Sequence, residues 1–367
     1  MKRLKRILAL IVVNVTILAL GFVMIEIAFG GWLNPGKLNR LNLLRDCVFQ
    51  YDSSSLYKDP NPIIRYSRDK YGLRGSHRTP DRIDILTVGG STTDQRYIRD
   101  GETWQDVLQD CFRRSGKAVV VANAGVDGQS TYGHIKDFEW WFPYIPDLKP
   151  KYILYYVGLN DFYKEAGSGW DSILEDSHAT GIKRQLQENS ALWHMVRTLH
   201  GAYAAMVVLK ISNRSVNFAK VQWTREPLQR DYSFMAARLA EYANRLRKLA
   251  DLTRDFGAQP VFVTQPSRQY RITAEGIEGR SGVASYDHHE YNGVDYYYMM
   301  RRLDSVTHSI ADEKRAFFVD LAGYNGWRNA DFYDFAHMTP AGAKTVGTLL
   351  FESLKNFVPS AGAGRGE

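Results

Sequence analysis

Five short runs of aliphatic and β-branched residues recur along this chain, and longer segments with helical spacing separate several of them. That alternation confines the fold to a parallel sheet covered on both faces. The runs are Asp84-Ile-Leu-Thr-Val88, Ala118-Val-Val-Val-Ala-Asn123, Tyr152-Ile-Leu-Tyr-Tyr-Val157, Pro260-Val-Phe-Val-Thr264 and Ala316-Phe-Phe-Val-Asp320. Trp104, Val107, Leu108 and Cys111 give the first intervening segment its helical spacing. Met235, Leu239, Tyr242, Leu246, Leu249 and Leu252 do the same for a later one, which should end at Gly257. The closing helix should start at Thr339-Pro340, a capping threonine followed by proline at the first helical position. Parallel strands bring all their carboxyl ends to one edge of the sheet, the edge where open α/β sheets hold ligands.

A second constraint precedes the sheet. Ile7 to Phe29 is apolar except for Asn14, Thr16 and Glu26, and four basic residues, Lys2, Arg3, Lys5 and Arg6, stand before it. The run covers roughly 34 Å as a helix, enough to span a hydrocarbon core. It is longer than a usual cleaved signal and lacks a clean small-residue cleavage site, so it reads as a retained signal-anchor. The basic flank should stay cytoplasmic, sending the rest of the chain across the plasma membrane into a periplasmic or other extracytoplasmic space. The formal net charge is +7, and those four residues carry four of the seven, leaving +3. So small a remainder gives no reason to expect nucleic acid. Hydrophobic residues at 44% and charged residues at 24% exclude global disorder. Cys47 and Cys111 would lie in an oxidising compartment, although nothing in the sequence pairs them.

The expected organisation follows: a basic tail (1–6), the spanning helix (7–29), a juxtamembrane linker (30–80), an α/β domain (81–358) and a disordered tail (359–367). The linker carries Leu38, Leu41, Leu43 and Leu44 among Lys37, Arg40 and Arg45, a short amphipathic pattern, and is broken by Asp59-Pro-Asn-Pro62. The strand–helix rhythm is lost between about 162 and 230. This reads as an insertion with one apolar helical segment, Ala191 to Lys210, packed as a cap on the domain.

Three turns should meet at the active edge: Gly89-Gly90-Ser91 after the first run, Ala124 to Thr131 after the second, and Gly158-Leu-Asn-Asp161 after the third. Glycines at 89 and 90 allow a tight turn that leaves the Ser91 hydroxyl uncrowded. Serine attack on a carbonyl needs a base, a group to orient the base, and donors for the oxyanion. Asp334-Phe-Ala-His337, just before the last helix, supplies a histidine with a carboxylate three residues ahead that can fold back on it. The backbone N–H of Ser91, the backbone N–H of Gly128 and the Asn160 amide are the candidate oxyanion donors. Each of these features is common in isolation. Their order and placement together are specific.

The constellation resembles the SGNH (GDSL-type) hydrolase family over most of the chain from about Tyr71 to Leu354. Gly89-Gly90-Ser91-Thr92-Thr93 resembles the first family block, Asn123 to Gly128 the second, Gly158-Leu-Asn-Asp161 the third, and Asp334 with His337 the last. One position departs: the family has Asp before the serine, where this chain has Gly90. The resemblance implies a flavodoxin-like three-layer α/β/α domain with a mainly parallel five-stranded sheet. It also implies ester hydrolysis through an acyl-serine, with Ser91 as nucleophile, His337 as general acid–base and Asp334 as its orienter. It implies no cofactor and no metal.

Other clusters point elsewhere less well. Asp287-His-His-Glu290 has ligand-type residues without the spacing of a zinc motif. No phosphate-loop pattern accompanies the glycines near Ser91. The leading expectation is a membrane-anchored extracytoplasmic serine esterase acting on O-acyl groups of an envelope or secreted polysaccharide. An O-acyltransferase using the same residues, and an inactive glycan-binding scaffold, are the alternatives.

Overall fold

The computed structural model describes residues 2–32, 38, 43–77, 79–163, 186, 189–193, 195, 196, 199, 208–211 and 213–359. Helix α1 (Lys2–Phe29) contains one stretch, Lys5–Phe29, long and apolar enough to cross a membrane, and its apolar side chains are exposed. Two antiparallel strands follow, β1 (Cys47–Asp52) and β2 (Ile63–Arg68). Then come β3 (Ile85–Gly89), the one-turn helix α2 (Ser91–Asp94), α3 (Trp104–Arg114), β4 (Val121–Asn123), α4 (Thr131–Trp140), β5 (Tyr152–Val157) and α5 (Leu159–Tyr163). Short strands β6 (Val208–Lys210) and β7 (Trp223–Thr224) precede α6 (Ala236–Asp255) and β8 (Gln259–Thr264). Two small hairpins, β9 (Tyr270–Thr273) with β10 (Gly276–Arg280) and β11 (Ala284–Tyr286) with β12 (His289–Tyr291), lead to α7 (Gly293–Glu313), β13 (Phe317–Val319) and α8 (Pro340–Leu354).

The central sheet has the order β13-β8-β5-β3-β4, and every pairing in it is parallel. In chain order of its own strands this is 2-1-3-4-5, the flavodoxin-like arrangement, with the topological switch between β3 and β5. Strand alternation builds the layers. Ile153, Tyr155 and Val157 of β5 join one buried cluster with α4, α6 and α7, while Tyr152, Leu154 and Tyr156 join the other with α3 and α8. The closing helix is capped as its sequence requires, with Pro340 at the first turn and Thr339 Oγ1 accepting the Gly342 N–H.

Several elements differ from the sequence expectation. The stretch over 30–80 holds the β1–β2 hairpin, and Tyr66 and Arg68 of that hairpin are buried. In the amphipathic pattern Leu43 is buried and Leu44 exposed, while Lys37, Arg40 and Leu41 lie outside the described residues. Within the 162–230 insertion, residues 164–185 and most of 186–207 lie outside the described residues. Positions 191–193, 195, 196 and 199 are helical, but 208–210 form β6, which pairs in parallel with β1. Trp193, Met195, Val196 and Leu199 are exposed, not packed as a cap. The polar stretch after β8 is two hairpins, not loop, and Asp287-His288 is the tight turn of the second, both with φ near +50 to +60°. Cys47 and Cys111 are both free. The tail beyond Pro359 lies outside the described residues.

Candidate active site

Strand β3 ends at Gly89, and Ser91 is the first residue of α2, so its N–H has no acceptor within that helix. A Cβ on Gly90 would stand 2.0 Å from Asn160 Nδ2 and 3.0 Å from the Gln129 carbonyl. A side chain at position 90 would therefore have to displace the Asn160 amide.

His337 reaches Ser91 from the other side of the cleft, across 246 residues of sequence. Its Nε2 lies 2.8 Å from Ser91 Oγ, and its Nδ1 lies 2.8 Å from Asp334 Oδ2. A carboxylate accepts only, so Nδ1 carries the proton donated to Asp334 and Nε2 is free to accept from the serine hydroxyl. The other Asp334 oxygen takes the N–H groups of Ala336 at 2.8 Å and His337 at 2.7 Å. Burial works to raise the Asp334 carboxyl, but the His337 ring and these two N–H groups outweigh it and hold it below its ordinary value. The loop is fastened at both ends: the Phe335 carbonyl accepts from Ser267 Oγ and the Arg268 N–H, and Tyr333 stacks on the His337 ring at 5.6 Å and 7°.

Gly128 lies in the turn after β4 with φ +74°, a left-handed conformation suited to glycine. Asn160, on the first turn of α5, donates from Nδ2 to the Gln129 carbonyl at 2.7 Å, leaving a second N–H on the same nitrogen. The turn is held from beneath by two polar clusters. Gln129 Nε2 donates to Asp137 at 2.9 Å, and its Oε1 meets His134 Nδ1 at 3.0 Å. Burial drives His134 down to about 3, so it is neutral at ordinary pH and donates from Nδ1. Thr131 and Arg245 both bond Asp161, the neighbour of Asn160. Gln265 joins two strand ends, accepting the Leu159 N–H at 2.7 Å and donating to Thr92 Oγ1 at 2.6 Å.

The structure thus brings Ser91, His337 and Asp334 into one hydrogen-bonded line, with Gly128 and Asn160 on turns at the same sheet edge. Sequence reasoning missed what surrounds them. A cavity of about 230 Å³ over Ser91 and His337 is lined also by Arg96, Tyr97, Asn213 and Tyr333. Arg96 and Tyr97 could have been found from their place five and six residues past Ser91. Asn213 sits in the irregular insertion and carries no such signal. A buried ion network under α2 was also missed: Asp94 takes Arg68 Nη2 and Tyr66 Oη, each at 2.8 Å, while Arg74 bonds the carbonyls of Asp94 and Gln95 at 2.7 Å each.

These residues can accept a serine proton, hold the resulting imidazolium against a carboxylate, and offer N–H groups to a developing oxyanion. No curated protein matches the chain by sequence. Solved structures similar in fold include the acetyl xylan esterase AlAXEase, at 14% identity over 74% of this chain and 100% of that one, with a TM-score of 0.41. A catalytic mutant of an acetylxylan esterase from Geobacillus stearothermophilus is similar at 15% identity over 74% and 93%, with a TM-score of 0.42. The psychrotrophic esterase EstA from Pseudoalteromonas sp. is similar at 12% identity over 74% and 97%, with a TM-score of 0.40. The family model described as the GDSL-like lipase/acylhydrolase family matches residues 87–274, just over half of the chain, including Ser91, Gly128 and Asn160, and ending before Asp334 and His337. The chain belongs to the GDSL-like lipase/acylhydrolase family and is a serine ester hydrolase.

Proposed function

We propose that this protein is a membrane-anchored, extracytoplasmic esterase that removes O-acyl groups, O-acetyl foremost, from an envelope or secreted polysaccharide, with Ser91 as nucleophile. The observation that carries the catalytic part is the pair of 2.8 Å contacts linking Ser91, His337 and Asp334. The reaction runs in two halves. Ser91 Oγ attacks the ester carbonyl carbon while its proton passes to His337 Nε2, and Asp334 stabilises the imidazolium through Nδ1–H. The tetrahedral oxyanion accepts from the N–H groups of Ser91 and Gly128 and from the free amide N–H of Asn160. Collapse breaks the bond to the sugar oxygen, which leaves with the proton from His337. Water then attacks the acyl-serine and gives a proton to His337, which passes it to the departing Ser91 Oγ as the carboxylic acid is released.

A short acyl group is supported by the cavity, which is small and rimmed by Arg96, Tyr97, Asn213 and Tyr333, polar and aromatic groups suited to a hydroxylated ring. The anchor and its orientation are supported by the long apolar run of α1 and the basic residues in its first turns. The test offers full-length protein in detergent O-acetylated polysaccharide and p-nitrophenyl esters of increasing chain length. Free acetate released from the glycan, with turnover falling as the acyl chain lengthens, is expected. Faster turnover of long-chain esters would contradict the substrate. Acetyl groups recovered on an added glycan acceptor, in place of free acetate, would make the protein an O-acyltransferase.

A further inference from the structure

Glu26 is the one acidic residue in α1, and it sits in the last turn of a helix otherwise built to face lipid. A carboxylate there is costly unless its lone pairs are satisfied. It is satisfied by a segment more than 160 residues away: Ser190 Oγ donates to Oε1 at 2.7 Å, the Ala191 N–H to Oε2 at 2.9 Å and the Leu192 N–H to Oε1 at 3.2 Å. Trp32 Nε1 adds a fourth donor at 2.8 Å. The backbone joins as well, with the Gly31 N–H donating to the Asn189 carbonyl at 2.7 Å. A Cβ on Gly30 would stand 2.7 Å from that same carbonyl, so the close approach needs glycine.

The carboxylate therefore caps the start of a helical stretch described at 191–193, 195, 196 and 199, where the first N–H groups have no acceptor of their own and a negative charge is favoured. Those turns present Leu192, Met195, Val196 and Leu199 at steps of three, four and seven, a single apolar stripe. Met195, Val196 and Leu199 are all more than half exposed, at 52%, 59% and 64%. Trp193 and Trp32, both exposed, stand beside the junction, and tryptophan favours the boundary between hydrocarbon and water.

We infer that the helical stretch carrying Leu192, Met195, Val196 and Leu199 is a membrane-docking element that lies in the headgroup–acyl boundary where α1 leaves the bilayer, fixed there by Glu26. The occupant of its apolar stripe is lipid, because the stripe begins at residues bonded to the outer end of a helix whose own apolar side chains are exposed. An amphipathic helix in that plane buries its apolar face in the lipid boundary. The chain that leaves it runs through β6, pairs with β1 of the folded domain, and delivers Asn213 to the cavity above Ser91. The catalytic face is thereby tied to the membrane at two points, through α1 and through this helix. The inference rests on the anchored reading of α1 and is independent of the ester chemistry.

The test uses the full-length chain in phosphatidylethanolamine–phosphatidylglycerol vesicles, with Cys47 and Cys111 replaced by alanine and a nitrobenzoxadiazole label on Val196→Cys or Leu199→Cys. Flotation with vesicles and fluorophosphonate labelling are read on the same samples. Expected are at least twofold quenching by lipids spin-labelled near the headgroup and little quenching by aqueous iodide. In Glu26→Ala the lipid quenching should fall by half or more while flotation and fluorophosphonate labelling persist. Labels quenched by iodide and not by lipid, in protein that floats, would overturn the inference and leave the anchor standing. So would labels shielded from both quenchers, the result of packing against a second protein surface, or quenching unchanged in Glu26→Ala. Protein that fails to float would overturn the anchor and the docking helix together.

Discussion

The side-chain amide of Asn160 donates to the backbone carbonyl of Gln129 at 2.7 Å, joining the turns that follow β5 and β4. One amide hydrogen is used in that bond, so the direction of the other is fixed before any substrate arrives. Preorganised donors of this kind cost no reorganisation during reaction. Gln129 is itself held by His134 and Asp137, buried side chains of α4. The proposed oxyanion site is therefore stiff because its supports lie in the core.

Asn160→Ala should lower kcat by about 10²- to 10³-fold with a small change in KM, the loss typical of one oxyanion donor. Steady-state kinetics on a p-nitrophenyl ester measures it. A change confined to KM would show that the amide binds ground state and transition state alike.

Gly90→Ala should have the same kinetic signature by a different route. The new methyl would lie 2.0 Å from Asn160 Nδ2 and must push the amide off the Gln129 carbonyl. Circular dichroism should report a folded protein with kcat reduced tenfold or more. Wild-type kcat in this variant would show that the amide can move without loss.

Asp94→Ala should destabilise the fold by about 3–5 kcal/mol, because it leaves Arg68 buried without its carboxylate. Both side chains of this pair are 2% exposed. Chemical unfolding in detergent measures the change. Replacing the pair together, Asp94→Leu with Arg68→Met, should recover much of the loss. A single variant as stable as wild type would contradict the placement of β2 against α2.

Asp304 gives the pH prediction. Burial pushes its carboxyl up to about 8 from an ordinary 3.8, against the pull of Arg301. Between those values the folded state holds a proton that the unfolded state has released. Its contribution to stability is therefore full at the acid end and is lost as pH rises toward about 8. Asp304→Asn should flatten the fall in Tm between about pH 5 and about pH 8. An unchanged slope would mean the group is ionised in the fold.

Much of this architecture was legible in the sequence, for physical reasons that also mark where reading stops. β3, β5 and β8 are apolar runs because both faces of a parallel sheet are covered, and the turns after β3, β4 and β5 carry three of the family blocks. α8 announced its start through Thr339-Pro340. The β1–β2 hairpin did not show itself: every residue of β1 is only half-buried, and the prolines at 60 and 62 read as a break. The hairpins over 270–291 are strands of three to five residues, too short for periodicity to separate from loop. Arg68 with Asp94, and Glu26 with Ser190, are partners across long separations whose meaning depends on burial and contact. No local pattern carries that.

The central claim is that Ser91 forms an acyl-enzyme, and a fluorophosphonate probe tests it most directly. Full-length protein in detergent, with Ser91→Ala beside it, is exposed to the probe while p-nitrophenyl acetate hydrolysis is followed. One equivalent of label on the wild type, mapped by mass spectrometry to Ser91, with label and turnover both lost in Ser91→Ala, is the expected result. Turnover that survives in Ser91→Ala, or label carried by another serine of a folded protein, would contradict it.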